Sequence, residues 1–268
     1  MLSVQKVGID AGGTLIKLVY EENGVFHYKT YHISQLESAM EWLKLMAPSA
    51  KVALTGGKAV FLSKQFFNDA VQVPEFDAAC NGARYFLDMD GNKPDVCLLV
   101  NIGTGTSWFY LQGEKQERIL GSGIGGGTFM GLGELLTNEK DYTHLVQLAQ
   151  KGNKAKVDLT VKDIYMGEDT PVDGNLTASN FAKGKKDEQS NEDLMAAVTN
   201  MVAETIVLLT LQAAAIHQTN EVVYMGSTFS GNIPLKNVLE SYKGMLGLNT
   251  RFLKHGEFSG AMGALLAI

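Results

Sequence analysis

Segments with the apolar spacing of β-strands alternate along the chain with segments that have the apolar spacing of α-helices. Residues 4–9, 15–21 and 25–30 have the composition and spacing of three consecutive strands, joined by the short turns DAGGT and ENG. A helix is predicted at 34–46, where apolar residues recur every three or four positions, and a further strand at 51–54. Strands that alternate with helices in this way are typical of an α/β protein.

The strand–turn–strand pattern of the N-terminus recurs in the middle of the chain. An apolar strand is predicted at 96–101, and the sequence IGTGTSWFYLQG that follows it contains a Gly/Thr turn and a second strand. The long apolar segment 191–218 is interrupted by Glu204, so we interpret it as a buried helix rather than a membrane span. The other predicted elements are helices from 58, after Pro74, at 128–136, at 141–151, from 233 and at 259–267, and strands at 222–225 and 251–253.

Four glycine-rich turns follow predicted strands, at 10–14, 103–107, 121–127 and 226–228. Backbone N–H groups at such turns can surround phosphate oxygens, and Ser and Thr hydroxyls can donate to the same oxygens. One such turn is equally well explained as a simple hairpin turn, since Asp and Gly favour the required conformations. Four of them together favour a polyphosphate bound between two lobes.

The class of nucleotide is narrowed by the motifs around these turns. No GxxxxGK[ST] sequence is present, which excludes a Walker-type loop. The sequence GSGIGG matches the GxGxxG dinucleotide fingerprint. However, the preceding EKQERIL is too charged for a central parallel strand, and no ribose-binding acid follows in a clear βαβ unit, so a dinucleotide site is disfavoured.

Charge and cysteine content restrict the location and the partners. The 268 residues carry a net charge of −6, which disfavours nucleic acid and anionic membrane surfaces as partners. The two cysteines, Cys80 and Cys97, form no CxxC motif, so neither a disulfide nor a zinc site is expected. The N-terminus lacks the charged and apolar regions of a signal peptide. We expect a cytoplasmic protein.

Seven motifs, taken in order, resemble those of the type II pantothenate kinases, particularly the short bacterial form. They are VGIDAGGTLIK, LTGG, EFDAA, NIGTGTS, GIGGGT, LTASNF and FSGAMGAL. These kinases belong to the acetate kinase/sugar kinase/Hsp70/actin superfamily. The resemblance implies a two-lobed actin-like ATPase (ribonuclease H-like) α/β fold, with mixed sheets and an ATP cleft between an N-terminal lobe, 1–95, and a C-terminal lobe, 96–268. It further implies a homodimer that uses ATP and Mg²⁺ to phosphorylate pantothenate, the first step of coenzyme A biosynthesis.

The same resemblance assigns the chemistry to three residues, each of which also has a simpler explanation. Glu75 would be the general base, although a carboxylate in the first turn of a helix is itself stabilising by about 0.3–1 kcal/mol. Asp10 would be a Mg²⁺ ligand, or else it only caps its own turn. Arg118 would bind the substrate and the transferred phosphate, or else it is a surface residue. Asp77 is the competing acid, and it is expected to point elsewhere on the helix.

The remaining implied contacts are with nucleotide and substrate, and ordinary loop or core positions are the alternative for each. Residues of the neighbouring subunit are expected to complete the pantothenate pocket, and the apolar breadth of 191–218 permits a dimer interface. The implied nucleotide contacts are Asp10, Ala11, Gly12, Gly13, Thr14, Leu15, Ile16, Lys17, Thr104, Gly126, Gly127, Thr128, Phe129, Met130, Tyr142 and Ser227. The implied substrate contacts are Glu75, Thr104, Ser107 and Arg118, with Thr177, Ala178 and Tyr242 from the neighbouring subunit.

Two other functions remain open at this point. A sugar or N-acetylhexosamine kinase of the same superfamily would commonly carry Asp as the base and often a zinc-binding Cys/His cluster, and neither appears in the expected form. A non-catalytic ATP-binding regulator would not need a base, whereas Glu75 and Arg118 are both present. Pantothenamide analogues are further candidate ligands of the main function.

Overall fold

Two five-stranded mixed sheets organise the chain in the computed structural model, which describes residues 4–91, 93–166, 168–185, 188–243 and 247–268. The first sheet has the order β3-β2-β1-β4-β5. Its first three strands are antiparallel neighbours, whereas β4 and β5 run parallel to β1. The strands are β1 (Lys6–Ala11), β2 (Leu15–Glu22), β3 (Val25–His32), β4 (Lys51–Thr55) and β5 (Val71–Gln72).

The second sheet repeats this topology. Its order is β12-β11-β6-β7-β8, with β6, β7 and β8 antiparallel and with β11 and β12 parallel to β6. The recurrence predicted from the two Gly/Thr hairpins is therefore confirmed. The strands are β6 (Val96–Ile102), β7 (Thr106–Gln112), β8 (Lys115–Ser122), β11 (Glu221–Met225) and β12 (Asn249–Phe252), while β9 (Leu159–Thr160) and β10 (Thr177–Ser179) form a small separate sheet.

Nine described α-helices pack on and between these two sheets, which gives a layered structure. One apolar cluster joins the outer face of the first sheet to α1 and α2, and another joins the outer face of the second sheet to α4, α5, α7 and α8. Between the two sheets lie α3 and α9. The helices are α1 (Leu36–Met46), α2 (Ala59–Gln65), α3 (Glu75–Met89), α4 (Gly126–Thr137), α5 (Tyr142–Lys151), α6 (Val161–Ile164), α7 (Asn191–Ile216), α8 (Ile233–Ser241) and α9 (Ser259–Leu265).

Glycines allow α9 to contact its neighbours backbone to backbone. A Cβ on Gly82 of α3 would lie 1.9 Å from the carbonyl oxygen of Ser259, and one on Gly263 of α9 would lie 1.8 Å from that of Ala78. On the other side, a Cβ on Gly8 of β1 would lie 2.0 Å from the carbonyl oxygen of Ala261. Because side chains would not fit in these gaps, α9 fixes the position of α3 relative to β1.

The long helix α7 is a core helix. Among the described residues it is the one helix whose length and composition would allow it to cross a membrane, but most of its apolar stretch is buried within the protein. It packs on the second sheet, where the Trp108 indole N–H donates to the Thr210 hydroxyl over 2.8 Å. The predicted buried helix is therefore confirmed.

Candidate active site

The first hairpin places one acidic and one basic side chain next to each other. Asp10 at the end of β1 is the register partner of Lys17 on β2, and Asp10 Oδ2 lies 3.6 Å from Lys17 Nζ. Both side chains are mostly buried, at 17% and 14% exposed. Ala11 and Ile16 face the core of the first lobe instead. The polar side chains of the strand ends are therefore on the side of α9, while the turn residues Gly13 and Thr14 are exposed.

The second hairpin has the same geometry without the charges. The register pair that corresponds to Asp10 and Lys17 is Asn101 and Ser107. In each sheet, a glycine with positive φ after the neighbouring parallel strand lies against the side chain of the acid or amide. A Cβ on Gly56 (φ +87°) would lie 2.7 Å from Asp10 Oδ1, and one on Gly226 (φ +115°) would lie 2.7 Å from Asn101 Oδ1. Of these two equivalent register pairs, only the one in the first sheet therefore carries a carboxylate and a positive charge.

Three glycine-rich turns of the second lobe are hydrogen-bonded to one another. The amide of Gly126 donates to the Gly103 carbonyl over 2.8 Å, and the amide of Gly127 donates to the Thr104 carbonyl over 2.8 Å. The Thr228 hydroxyl also donates to the Gly103 carbonyl, over 2.9 Å. The sequence segments 103–105, 125–127 and 226–228 are therefore joined into one hydrogen-bonded unit.

Several residues expected to contact a nucleotide use their side chains within the protein. The Thr128 hydroxyl donates to the Gly123 carbonyl over 2.9 Å. The Phe129 ring is buried in the core with its centroid 5.6 Å from that of Tyr142. The Tyr142 hydroxyl donates to the Thr228 carbonyl, and burial raises the pKa of that hydroxyl. Their expected contacts with a nucleotide remain predictions.

Glu75 is the first residue of α3 and follows Pro74. The residue as a whole is exposed. Partial burial of its carboxylate raises the pKa of that group, the negative charge of Asp10 raises it further, and Lys17 lowers it. Glu75 therefore lies within electrostatic reach of the Asp10–Lys17 pair. A raised pKa makes a carboxylate a stronger base.

Arg118 projects from β8 onto the beginning of α3. Its guanidinium carbon lies 4.9 Å from the centroid of the Phe76 ring, and Phe76 in turn meets Phe109 edge to face at 5.5 Å. Because Phe76 directly follows Glu75, this stacking brings a permanent positive charge to the helix end that carries the candidate base. Arg118 thus lies against Phe76 at the beginning of α3, and Glu75 at the same helix end lies within electrostatic reach of Asp10 and Lys17.

A polar face of α3 ties this helix to the hairpin that carries Arg118. Arg84 is 6% exposed, and its guanidinium donates to the carbonyls of Gly113 and Lys115 and to the side chain of Gln116. Gln116 Nε2 in turn donates to Asp77 Oδ1 over 2.7 Å. The competing acid is therefore held against β8. Sequence reasoning missed Arg84, although Asp77, Asn81 and Arg84 recur at helical spacing and mark a polar face.

Three expected substrate residues lie elsewhere in the chain. The Thr177 hydroxyl accepts from Lys154 Nζ over 2.9 Å, and the Tyr242 hydroxyl donates to Glu204 Oε1 over 3.2 Å. Burial and the neighbouring Glu204 charge raise the pKa of Tyr242. Tyr242 packs on the α7 side of the second sheet, opposite to α3, and Ala178 is exposed on β10. Within one chain, the sheet separates these residues from Glu75.

The Asp10 carboxylate beside Lys17 is a candidate ligand for a hydrated cation bound to phosphates. Within the described ranges no group of three or more His, Cys, Asp and Glu side chains could hold a metal by itself. Mg²⁺ bound to a nucleotide takes few protein carboxylates, because phosphate oxygens and water complete its shell. Asp10 fits this role, with the buried, unpartnered Thr55 hydroxyl on the adjacent strand. The arrangement is suited to phosphoryl transfer to a hydroxyl group.

Comparisons with known proteins identify the family and the fold. The family model described as Fumble matches residues 52–267. A curated type II pantothenate kinase of Oceanobacillus iheyensis is 42% identical over 266 residues, covering 98% of this chain and 100% of that protein. Component A of the (R)-2-hydroxyglutaryl-CoA dehydratase of Acidaminococcus fermentans has a TM-score of 0.68 at 17% identity, covering 99% and 97% of the two chains. A ROK family glucokinase of Streptomyces griseus, solved with glucose and AMPPNP, has a TM-score of 0.53 at 16% identity, covering 99% of each chain.

Proposed function

The chain belongs to the type II pantothenate kinase family, and from this premise we propose how its cleft uses ATP to phosphorylate pantothenate. The product, 4′-phosphopantothenate, is that of the first step of coenzyme A biosynthesis. The fold is the two-lobed actin-like ATPase fold of the superfamily. The observation that carries the mechanism is the position of Glu75, which begins α3 within electrostatic reach of Asp10 and Lys17.

Glu75 accepts the proton of the pantothenate hydroxyl as that oxygen attacks the γ-phosphorus. The bond from the γ-phosphorus to the bridging oxygen breaks, and ADP leaves with the electron pair. Arg118 stabilises the charge on the transferred group, since a guanidinium is always protonated and donates in a fixed fork. Its stacking on Phe76 supports this assignment because it holds the guanidinium beside the beginning of α3.

Asp10 holds Mg²⁺, directly or through water, and Lys17 contacts the phosphates. Mg²⁺ held there would neutralise negative charge on the nucleotide phosphates. The long 3.6 Å separation of Asp10 and Lys17 supports this division of roles, because neither group is committed to a short hydrogen bond with the other. Asp10 is accordingly the single protein carboxylate in the proposed metal site.

The nucleotide and the substrate occupy the glycine-rich surfaces of the two lobes, which we divide as 1–95 and 96–268. Ala11, Ile16 and Phe129 take part through their backbone only, because their side chains are buried in the core. The other proposed nucleotide contacts are Gly12, Gly13, Thr14, Leu15, Thr104, Gly126, Gly127, Thr128, Met130, Tyr142 and Ser227. Thr104 and Ser107 also contact pantothenate, and pantothenamide analogues with the same hydroxyl bind in the same place.

The substrate assignment is tested by a panel of acceptors with Mg²⁺ and ATP. We expect ADP release with pantothenate, and a kcat/KM for N-acetylglucosamine, N-acetylmannosamine and glucose at least about 10³-fold lower, since a site built to hydrogen-bond one polar substrate rejects others strongly. A sugar that is phosphorylated as efficiently as pantothenate would identify the enzyme as a sugar kinase. ADP release from no acceptor would favour the non-catalytic regulator.

The active form that we propose is a cytoplasmic homodimer whose subunits share the pantothenate site. Thr177, Ala178 and Tyr242 lie on the far side of the second sheet from Glu75, so only a second copy of the chain could present them to the substrate. The outer surface of α7 carries exposed apolar side chains, with Leu208 52% and Ile216 75% exposed, which supports this surface as part of the interface.

Shared sites are tested by mixing two inactive subunits. Glu75→Gln removes the base, and Ala178→Trp fills the proposed pocket from an exposed position that tolerates a large side chain. Each homodimer is expected to be inactive. Co-expression in equal amounts is expected to restore about one quarter of the wild-type rate, because random pairing makes half of the dimers mixed and each mixed C2 dimer retains one of its two sites. No restoration, or a mass in solution of 29.0 kDa, the mass of one chain, would contradict the shared site.

A further inference from the structure

Thr55, the last residue of β4, carries a buried hydroxyl group without a visible partner. The residue is 0% exposed, and within the described part of the chain its Oγ1 has no hydrogen-bond partner. A buried polar group that is left unpaired is costly, because it has lost its hydrogen bonds to water and gained none in return. Such a group in a native protein calls for a physical explanation, and a role in a binding site is one of them.

The position of Thr55 points to Asp10. The parallel pairing of β1 with β4 makes Asp10 and Thr55 register partners, so both side chains leave the same face of the first sheet. Neighbouring strands are about 4.8 Å apart, which places the two side chains side by side. Asp10 is further enclosed by backbone, since a Cβ on Gly56 would lie 2.7 Å from its Oδ1 and one on Gly260 would lie 2.7 Å from its Oδ2.

In the structure, the charged neighbour of Asp10 is Lys17, and their 3.6 Å separation is longer than a hydrogen bond. Once phosphates bind, Lys17 has a competing partner, and Asp10 needs another donor that fixes its orientation. Carboxylates at metal sites are commonly held by hydrogen bonds from outer groups. The Thr55 hydroxyl is a donor on the same face of the sheet and has no other partner in the described chain.

We propose that Thr55 is a positioning residue for Asp10. In the enzyme loaded with Mg²⁺ and ATP, the Thr55 hydroxyl donates a hydrogen bond to the Asp10 carboxylate, directly or through one water. The inference rests on the proposed role of Asp10 in holding Mg²⁺. It assigns a function to a residue that the reaction scheme does not otherwise use. It also predicts that the Thr55 hydroxyl lowers the stability of the free protein and strengthens the binding of Mg²⁺–ATP.

The test is Thr55→Val, which keeps the branched shape and removes the hydroxyl. Without ligand, we expect the Tm to rise by about 2–4 °C, because an unpaired buried hydroxyl is replaced by a methyl group. Binding of a non-hydrolysable ATP analogue with Mg²⁺ is expected to weaken about 10-fold in calorimetric titration. Binding of the same analogue without Mg²⁺ is expected to remain unchanged, which a general distortion of the site would not allow.

Thr250→Val is the matched control. Thr250 Oγ1 on β12 is also buried and lacks a partner among the described residues, but β12 is the edge strand of the other sheet. This variant is expected to raise the Tm without changing the binding of the Mg²⁺–nucleotide complex. If Thr55→Val does not fold, the pair Thr55→Ser and Thr55→Ala makes the same comparison, with serine expected to retain affinity and alanine to lose it.

Wild-type affinity and Mg²⁺ dependence in Thr55→Val, or in Thr55→Ala where that pair is used, would overturn the proposal. The measurement needs no pantothenate, so it is independent of the substrate assignment. A failure of the acceptor assay with a positive result here would revise the reaction and leave the role of Thr55 intact. The reverse combination would leave pantothenate phosphorylation intact and remove Thr55 from the site.

Discussion

Replacing Glu75 with glutamine is expected to lower kcat for pantothenate phosphorylation by about 10²–10⁴-fold, the usual contribution of a general base. Glutamine has the same size and can still accept a hydrogen bond, but it cannot take up the proton of the attacking hydroxyl. Nucleotide affinity is expected to remain close to that of the wild type, because the phosphate-binding turns are untouched. A coupled assay of ADP release gives kcat, and calorimetric titration gives the affinity.

The pH dependence provides a second readout of the same residue. Burial and the charge of Asp10 raise the pKa of Glu75. A base works in its deprotonated form, so kcat/KM falls as the pH drops through this pKa, and the fall begins at a higher pH than for an ordinary glutamate. This acidic limb should disappear from the residual activity of Glu75→Gln.

Asp77→Asn is the matched control, since it removes a carboxylate two residues away on the same helix. The asparagine side-chain oxygen can still accept from Gln116, so the hairpin contact is preserved. This variant is expected to retain most of kcat together with the acidic limb. Near-wild-type turnover in Glu75→Gln, or a collapse in Asp77→Asn alone, would remove Glu75 from the role of base.

Replacing Gly82 with alanine is expected to destabilise the protein by about 3 kcal/mol, at the upper end of the usual cost of overpacking. The added Cβ would lie 1.9 Å from the carbonyl oxygen and 2.7 Å from the carbonyl carbon of Ser259, and backbone atoms cannot swing aside as a side chain does. Relief requires α3 and α9 to separate. Urea unfolding followed by circular dichroism measures the loss as a lower midpoint.

Gly131→Ala is the contrasting control within another helix. Gly131 lies in α4, is exposed, and has nothing within 4 Å of the position of an added Cβ. Here the higher helix propensity of alanine is expected to stabilise the protein by about 0.5–1 kcal/mol. Equal effects of the two substitutions would contradict the backbone contact between α3 and α9.

Local sequence patterns were sufficient to predict much of this fold. The strands of the first hairpins, the helix after Pro74 and the long helix α7 follow from spacing that one element carries by itself. The duplicated Gly/Thr turns also revealed the repeat of the two sheets, because each turn is short and its glycines are required locally. The candidate base could be placed at the start of a helix for the same reason.

Contacts between segments that are distant in sequence could not be predicted from these local patterns. The charged EKQERIL segment forms the edge strand β8, where one side of the strand has no neighbour and charged side chains reach solvent. Helix α4 begins at Gly126 rather than at the predicted 128, because the carbonyls of Gly103 and Thr104 accept from its first amides. Neither the proximity of Thr55 to Asp10 nor that of Arg84 to the β7–β8 hairpin follows from sequence spacing, since both depend on register between separate elements.

The insertion of α9 between β1 and α3 has a consequence for how the enzyme is made. Asp10 and Gly260 come from opposite ends of the sequence, so the carboxylate is enclosed only after nearly the whole chain has been synthesised. Contacts between residues so far apart in sequence require the chain to lose loop-closure entropy before the contacts can stabilise it. Such contacts therefore tend to form late and slowly. Completion of the Asp10 environment is therefore tied to the final stage of folding, since a nascent chain that has not yet supplied α9 lacks the backbone that encloses this carboxylate.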